Sequence, residues 1–525
     1  MNIAKGLWLL PIGLLAACGD GNESSSSAPA MYSVSVTVSG LTGTGLVLQN
    51  NGSSDLAISS NGAATFATQI ANGTAYNVTV KSQPVAEPAQ LCDLVNNNGK
   101  INNAAVTNIE IKCRTATGKF LFAVEHYGAI DIYSIDASTG ALSQAPFSFR
   151  IDEQLVAAYA NASFLYVLKG GHYLSHSGMY GTNPTVSVLA IDSNTGGLTE
   201  VSGSPYSAGD YWPPDELVFH PSKKFAYAIN GSQVRGYSID SVTGQFTATP
   251  GSPYSVSPAG SIGYGGATFT SNGRYLHIVR AGAVDTFSVD DATGALILAS
   301  SVIYNGNSAT QPVLSKAGNF LYFGYTTSTY KRAPVDVSYS QWLTAYSVDS
   351  STGNLSAVAG VPYNIYNSGY TLSPLAIHRS GEYIYLFSSV SSEPGSISVF
   401  ASDNNTGQLS AIPNSPFATG GNGFSISPTG KFLMVGYTDT NKGINVFGID
   451  AATGTLTATT PSAPTVSGVS PSKIAFDPSG NFVYVLDMPY PGKIYVFSID
   501  AETGMMTSVN SYPTQAESIV ISGLQ

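Results

Sequence analysis

The phrase Asp-x-x-Thr-Gly occurs eight times in this chain, beginning at Asp136, Asp192, Asp240, Asp290, Asp349, Asp403, Asp450 and Asp500, at intervals of 47 to 59 residues. An alternating aromatic and aliphatic run usually precedes it, and an apolar residue usually follows. A period near fifty with strand-like sequence between the copies means one supersecondary unit stacked repeatedly, because a single unit cannot bury its apolar face alone. The repeat containing Asp240 shows the grammar: an apolar strand Leu217-Val-Phe219, a turn from His220 to Lys224, a strand Phe225-Ala-Tyr-Ala-Ile229, and a third strand Val234 to Ile239. The Asp-x-x-Thr-Gly turn then leads to a fourth. Four antiparallel strands per repeat describe a propeller blade. The expectation is an all-β β-propeller of eight blades, or seven if one copy is an insertion, over residues 116–525.

The ends of the repeat region are out of phase. The first copy starts at a second strand, Phe120-Leu-Phe-Ala-Val124, and the last is followed by an orphan first strand, Ser518-Ile-Val-Ile521. Joining them closes a ring and removes two exposed sheet edges. The Asp, Thr and Gly of the phrase read as turn chemistry: the side-chain oxygens satisfy turn amides and glycine takes the positive-φ position. A calcium site would need more oxygen ligands at each turn.

Residues 31–115 read as a separate small β domain, with period-two runs at Tyr32 to Val38, Tyr76 to Val80 and Ile109 to Cys113 and Asn/Gly turns between. It resembles an Ig-like sandwich. Ahead of it, Lys5, the apolar run Leu7 to Leu15, and Leu15-Ala-Ala-Cys18 form a targeting segment over residues 1–18. This resembles a bacterial lipobox, which implies lipidation at Cys18 and a body anchored to the cell envelope through residues 19–30, a Gly/Ser-rich tether. Gly19 after Cys18 resembles lipoproteins sorted to the outer membrane. Export places Cys92 and Cys113 in an oxidising compartment, where one disulfide is the expected state, and no metal site is expected.

Only 10% of residues are Asp, Glu, Lys or Arg, and the net charge is −11. That balance opposes nucleic-acid binding, which needs a basic face. The first-to-second and third-to-fourth turns repeat closely, whereas the loops on the other face vary, and two second-to-third loops, Gly170 to Pro184 and Thr326 to Gln341, are long. Function on a scaffold usually sits in irregular loops. Aromatic residues there, Tyr206, Tyr211, Trp212, Tyr254, Tyr264 and Tyr366, suit a small neutral ligand or a glycan, or contact with an envelope protein. At the ends of the second strands stand Glu125, Lys169, Asn230, Arg280 and Asp487, a polar arc. There Arg280 or Lys169 would hold a carboxylate or oxyanion and Glu125 would act as base, with Asn230 and Asp487 as binding groups. No cofactor is expected.

The repeat grammar, with turns such as Ser427-Pro-Thr-Gly-Lys431, resembles the lactonase family of β-propellers, which includes 6-phosphogluconolactonase-like proteins, usually of seven blades. The resemblance implies a lactone hydrolase or isomerase. Family enzymes carry Pro-Arg-His-x-x-Phe-His-Pro followed by Ala-Tyr-x-x-Asn-Glu; this chain reads Pro214-Asp-Glu-Leu-Val-Phe-His-Pro221, then Ala226-Tyr-Ala-Ile-Asn-Gly231. Asp215 and Glu216 thus replace the Arg and His of the pattern, and Gly231 replaces the acidic residue. A carboxylate in place of an arginine inverts the field that would stabilise an oxyanion. The expected function is therefore a binding propeller lacking the family's catalytic residues, with an exported lactone hydrolase as the alternative.

Overall fold

The computed structural model describes residues 30–523 except 83, 85–89, 116–118, 126–127, 152–153, 171–182, 210–213, 231, 258–262, 332–335, 367–370, 391–392, 422, 438–442, 460–465 and 488–490. Cys18 and the targeting segment lie outside these residues, as do Tyr211 and Trp212. The described residues form strands and turns and contain no helix. The described residues divide into two compact units, the smaller comprising those within 30–40, 46–82 and 93–112.

The smaller unit holds most of one sheet, of order Gly62–Thr65, Val34–Ser39, Val106–Thr115, Gln90–Val95, whose last two strands run a few residues past its bounds, and all of another, of order Ser54–Ile58, Leu46–Asn50, Ala75–Ser82, Asn98–Lys100. Val34–Ser39 pairs in parallel with Val106–Thr115. Its alternation of Val34, Val36 and Val38 with Ser35 and Thr37 buries one face, and Leu46, Leu48, Val78, Ile109 and Ile111 of the two sheets are buried as well. Cys92 and Cys113, on adjacent strands, form a disulfide.

Among the described residues the larger unit has eight successive antiparallel sheets of four or more strands, one for each Asp-x-x-Thr-Gly phrase. The second is representative: Gln154–Ala160, Phe164–Gly170, Thr185–Ile191 and Leu198–Glu200 in spatial order. The first is assembled from both ends of the repeat region. Ala516–Ile521 pairs antiparallel with Phe120–Glu125, Leu121 opposite Ile521, and so supplies the missing first strand. Apolar side chains alternate between the two faces of each second strand and pack against the sheets on either side. In the first sheet Phe122 and Val124 join Leu165 and Val167 of the second, while Leu121 and Ala123 join Tyr484 and Leu486 of the eighth. Equivalent clusters fill the six remaining interfaces, which closes the ring at eight.

The repeated phrase has two tasks. Asp136 Oδ1 accepts hydrogen bonds from the Ser138 amide at 3.0 Å, the Thr139 amide at 2.8 Å and the Thr139 hydroxyl at 2.9 Å. These donors, the Ser138 hydroxyl first among them, pull the exposed Asp136 carboxyl down to about 2. Gly140 has φ of 72°, and a Cβ there would lie 2.4 Å from Phe482, at the start of the second strand of the eighth sheet. The glycine of every other copy meets an aromatic ring of the preceding sheet in the same way, from Phe120 against Gly196 to Phe432 against Gly504. The turn therefore serves the hairpin and the inter-sheet packing together.

One loop expectation is corrected. Thr326 to Gln341 is not an irregular loop: Phe320–Lys331 and Asp336–Val348 continue pairing as far as Lys331 opposite Asp336. Alternating Thr, Ser and Tyr with Val and Trp in this stretch favours an extended hairpin.

Candidate functional site

The polar arc at the second-strand ends is largely engaged in holding its own blades. Arg280, 2% exposed, donates from Nε and Nη2 to Asp285 Oδ2 at 2.9 and 2.8 Å, and from Nη2 to the Ser257 carbonyl at 3.0 Å. Asp285 is completely buried. A guanidinium already matched by a buried carboxylate has little left for an oxyanion, so Arg280 does not stand open as the oxyanion holder expected from the sequence. Asn230 is also diverted: its Oδ1 accepts from the Ser232 and Gln233 amides at 2.9 and 2.8 Å, an Asx turn that shapes its own hairpin. Glu125 Oε2 accepts from the Ala129 amide at 3.0 Å, likewise across its own hairpin. Asp487 accepts from the Ser470 amide, and Lys169 is buried on the second strand of the second sheet. Strand ends leave backbone amides unpaired, and these short polar side chains satisfy them.

The aromatic expectation divides. Tyr206 stacks on Phe246 of the next sheet, ring centroids 5.2 Å apart, and its hydroxyl donates to the Ser202 carbonyl at 3.1 Å. Tyr254 is buried, its hydroxyl 2.7 Å from both Thr249 Oγ1 and the Pro250 carbonyl. Both are packing residues, not ligand platforms, because the Gly-Ser-Pro-Tyr segments that carry them fold back as short strands onto the third strand of their sheets. Tyr366 ends the strand Tyr363–Tyr366, opposite Gln341.

Tyr264 has a different setting. Its hydroxyl donates to Glu216 Oε2 at 2.6 Å. Glu216 opens the first strand of the third sheet, Glu216–Phe219, and projects to the same side as Val218, toward the fourth sheet. The carboxyl also accepts from the Ala267 amide at 3.3 Å and, on Oε1, from Gln311 Nε2 at 2.9 Å. Gln311 reaches it because Gly265 and Gly266 leave room. A Cβ on Gly266, which has φ of 144°, would lie 2.7 Å from the Gln311 backbone. Burial raises the Glu216 carboxyl above the ordinary range, against the lowering effect of Tyr264 and the Ala267 amide, and neighbouring Asp215 adds to the rise. Burial and Glu216 together push the Tyr264 hydroxyl far up.

Glu216 lines a cavity of 470 Å³ that is also bordered by Tyr159, Tyr166, Phe219, Phe269 and Gln311, with His220 and Lys223 farther along the same wall. That volume is in the range of small-molecule sites, roughly 300–1,000 Å³. His220 is not a free base within it. Its Nε2 donates to the Gly273 carbonyl at 2.9 Å, and its Nδ1 accepts from the Ser222 amide at 3.1 Å. His378 makes the same pair of contacts, to Gly430 and Ser380, three sheets away. A role repeated in two blades belongs to the scaffold.

Glu216 was visible in the sequence only as a departure from a family pattern. The signal that singles it out is a lone acidic residue opening an otherwise apolar strand. Among the described residues no group of three or more His, Cys, Asp or Glu side chains is placed to hold a metal ion.

The family model described as "Lactonase, 7-bladed beta-propeller" matches residues 30–332 and 338–470. No curated protein matches the chain. Among solved structures, the periplasmic gluconolactonase of Pseudomonas aeruginosa is similar at 16% identity and a TM-score of 0.47, over 76% of this chain and 98% of that one. A protein from Bacteroides fragilis NCTC 9343, named for 6-phosphogluconolactonase, is similar at 17% identity and a TM-score of 0.45, over 66% and 95% of the two chains. The dihydro-heme d1 dehydrogenase NirN in complex with DHE is similar at 10% identity and a TM-score of 0.45, over 77% and 75%.

Proposed function

Because this chain belongs to the lactonase family of β-propellers, we propose that it keeps the family scaffold but uses it to bind a small ligand in the Glu216 cavity without hydrolysing a lactone. The observation that carries this reading is the fate of the positive charge. The one arginine of the polar arc is consumed by Asp285, and Asp215 and Glu216 occupy the positions where the family pattern has Arg and His. Ring opening of a lactone develops negative charge on oxygen, and preorganised donors or cations are what stabilise it. The carboxyl and phenol groups at the Glu216 end of the cavity oppose that charge.

The body is proposed to be held at the bacterial cell envelope, on the outer membrane, by a lipid on Cys18, with residues 31–115 as an Ig-like stalk. The Lys5 to Cys18 segment and the tether after it support this. Cys18→Ser should move the protein from the membrane to the soluble fraction; retention in the membrane fraction of that variant would count against the anchor.

A second reading, an exported lactone hydrolase, is favoured by the family match and by the Glu216–Tyr264 hydrogen bond, since a carboxyl with a raised pKa is a usable general acid or base. A panel of five- and six-membered lactones separates the two. The binding reading expects no turnover above buffer. Saturable turnover that Glu216→Gln abolishes would establish the hydrolase instead, and loss in Glu125→Gln with Glu216→Gln unaffected would return the chemistry to the second-strand ends.

A further inference from the structure

Two carboxyl groups of this region, the fully buried Asp285 and the half-buried Glu216, are treated differently. Asp285 is paired with Arg280, which neutralises its charge. Glu216 receives hydrogen bonds from Tyr264, the Ala267 amide and Gln311, all neutral donors, and among the described residues none of its partners is a Lys or Arg. A half-buried carboxylate without a paired counter-charge is costly, and its three neutral donors offset only part of that cost.

The rest of the wall has the complementary character. Tyr166 and Phe219 lie with ring centroids 4.7 Å apart, Tyr159 and Phe219 6.1 Å apart, and Phe269 borders the same cavity from the fourth sheet. The face of an aromatic ring is electronegative and attracts an organic cation, more strongly as the site is desolvated. An aromatic wall beside an unneutralised carboxyl is a receptor for positive charge on an apolar body. A sugar acid or sugar phosphate would be repelled by Glu216 and Asp215.

We infer that the Glu216 cavity binds a small organic cation, an amine or quaternary ammonium compound, with the charged group at the Glu216 and Tyr264 end and the body along Tyr159, Phe219 and Phe269. This rests on the binding reading of the same cavity. Binding is expected to strengthen as pH rises through the raised Glu216 pKa, because the ligand favours the ionised carboxylate. The other charged or titratable groups lining this space are Tyr159, Tyr166, His220 and Lys223, and Tyr264 and Asp215 act on the Glu216 carboxyl from beside it.

The test uses choline and its uncharged isostere 3,3-dimethyl-1-butanol, titrated calorimetrically into the full protein at pH 5 and pH 8. Choline should bind saturably and more tightly at pH 8, and the alcohol at least about ten-fold more weakly, as expected when cation–π and carboxylate terms are both lost. Glu216→Gln, which keeps the hydrogen-bonding shape, should weaken choline by about ten-fold or more and leave the alcohol unchanged. Equal binding of the two compounds by the wild type overturns the inference, whatever the variant does. Unchanged choline affinity in a folded Glu216→Gln protein, or no saturable choline binding, also overturns it. The lactone panel reads out separately: absence of both turnover and choline binding sinks only the cation assignment, whereas turnover sinks the binding reading beneath it.

Discussion

The Tyr484 hydroxyl donates to the Gly140 carbonyl at 3.0 Å across 344 residues of chain. This bond ties the last blade to the first at the turn where Phe482 also rests on Gly140. Tyr227 to Gly294 and Tyr385 to Gly454 repeat it between ordinary neighbours. The closure of the ring is thus built from the same parts as its interior joints, so no special latch is needed beyond the strand Ala516–Ile521.

Gly140→Ala should destabilise the propeller in two ways, through a left-handed backbone costing an alanine about 1–2 kcal/mol and through collision with Phe482, worth about 1–3 kcal/mol more. Gly360→Ala is the control. It has φ of 84° and nothing within 4 Å of the added Cβ, so it carries only the backbone penalty. Thermal melting should place Gly140→Ala clearly below Gly360→Ala. Equal midpoints would mean that the aromatic contact contributes nothing.

Arg280→Met leaves Asp285 buried beside no counter-charge, and the expected loss is about 3–5 kcal/mol. Arg280→Met combined with Asp285→Leu should recover most of it, because the cost lies in the orphaned charge and not in the missing bond. Denaturant unfolding of both variants decides this, and a double variant as unstable as the single would refute the account.

The repeated aspartates make an acid-sensitivity prediction. Hydrogen bonds from Ser351 and Thr352 hold the Asp349 carboxyl at about 2, below its unfolded value, and the other copies are lowered by equivalent donors. A depressed carboxyl contributes stability that is present above the unfolded value near 4 and lost as pH falls toward the folded one. Melting temperature should therefore fall steeply between about pH 4 and pH 2. Asp349→Asn should flatten part of that slope while lowering stability at pH 7, and an unchanged slope would show that these turns do not govern acid unfolding.

Ending the chain after Thr514 removes the strand that pairs with Phe120–Glu125 and uncovers a long apolar edge. The truncated protein is expected to aggregate or unfold at markedly lower temperature, as unguarded edges do. Adding a synthetic peptide spanning residues 515–525 should restore part of the loss. A truncated chain as stable as the full one would show that the ring does not depend on this strand.

Fold was legible here because it is a matter of period. Phrases spaced by about fifty residues and strands of alternating Phe, Tyr, Val and Ile specify blades regardless of what lies far away. Even the closure by Ser518 to Ile521 could be read, since a missing first strand at one end and a spare one at the other leave a single economical pairing. The site was legible only in fragments. Glu125, Asn230 and Arg280 shared a position in the repeat, but their partners, the Ala129 and Ser232 amides and Asp285, lie across the same hairpins, and repeat alignment does not reveal who hydrogen-bonds whom. Tyr206 and Tyr254 resembled ligand platforms until their rings were seen seated in inter-sheet packing.

Sequence alone determined that this is an all-β ring of repeated blades, because local period and turn chemistry act over a few residues and need no distant partner. Only the tertiary structure decided which charges are neutralised. Glu216, Tyr264 and Gln311 come from three different blades, and a carboxyl's ionisation depends on what surrounds it in space, so the difference between Asp285 beside Arg280 and Glu216 among phenols and amides exists only once the blades have packed.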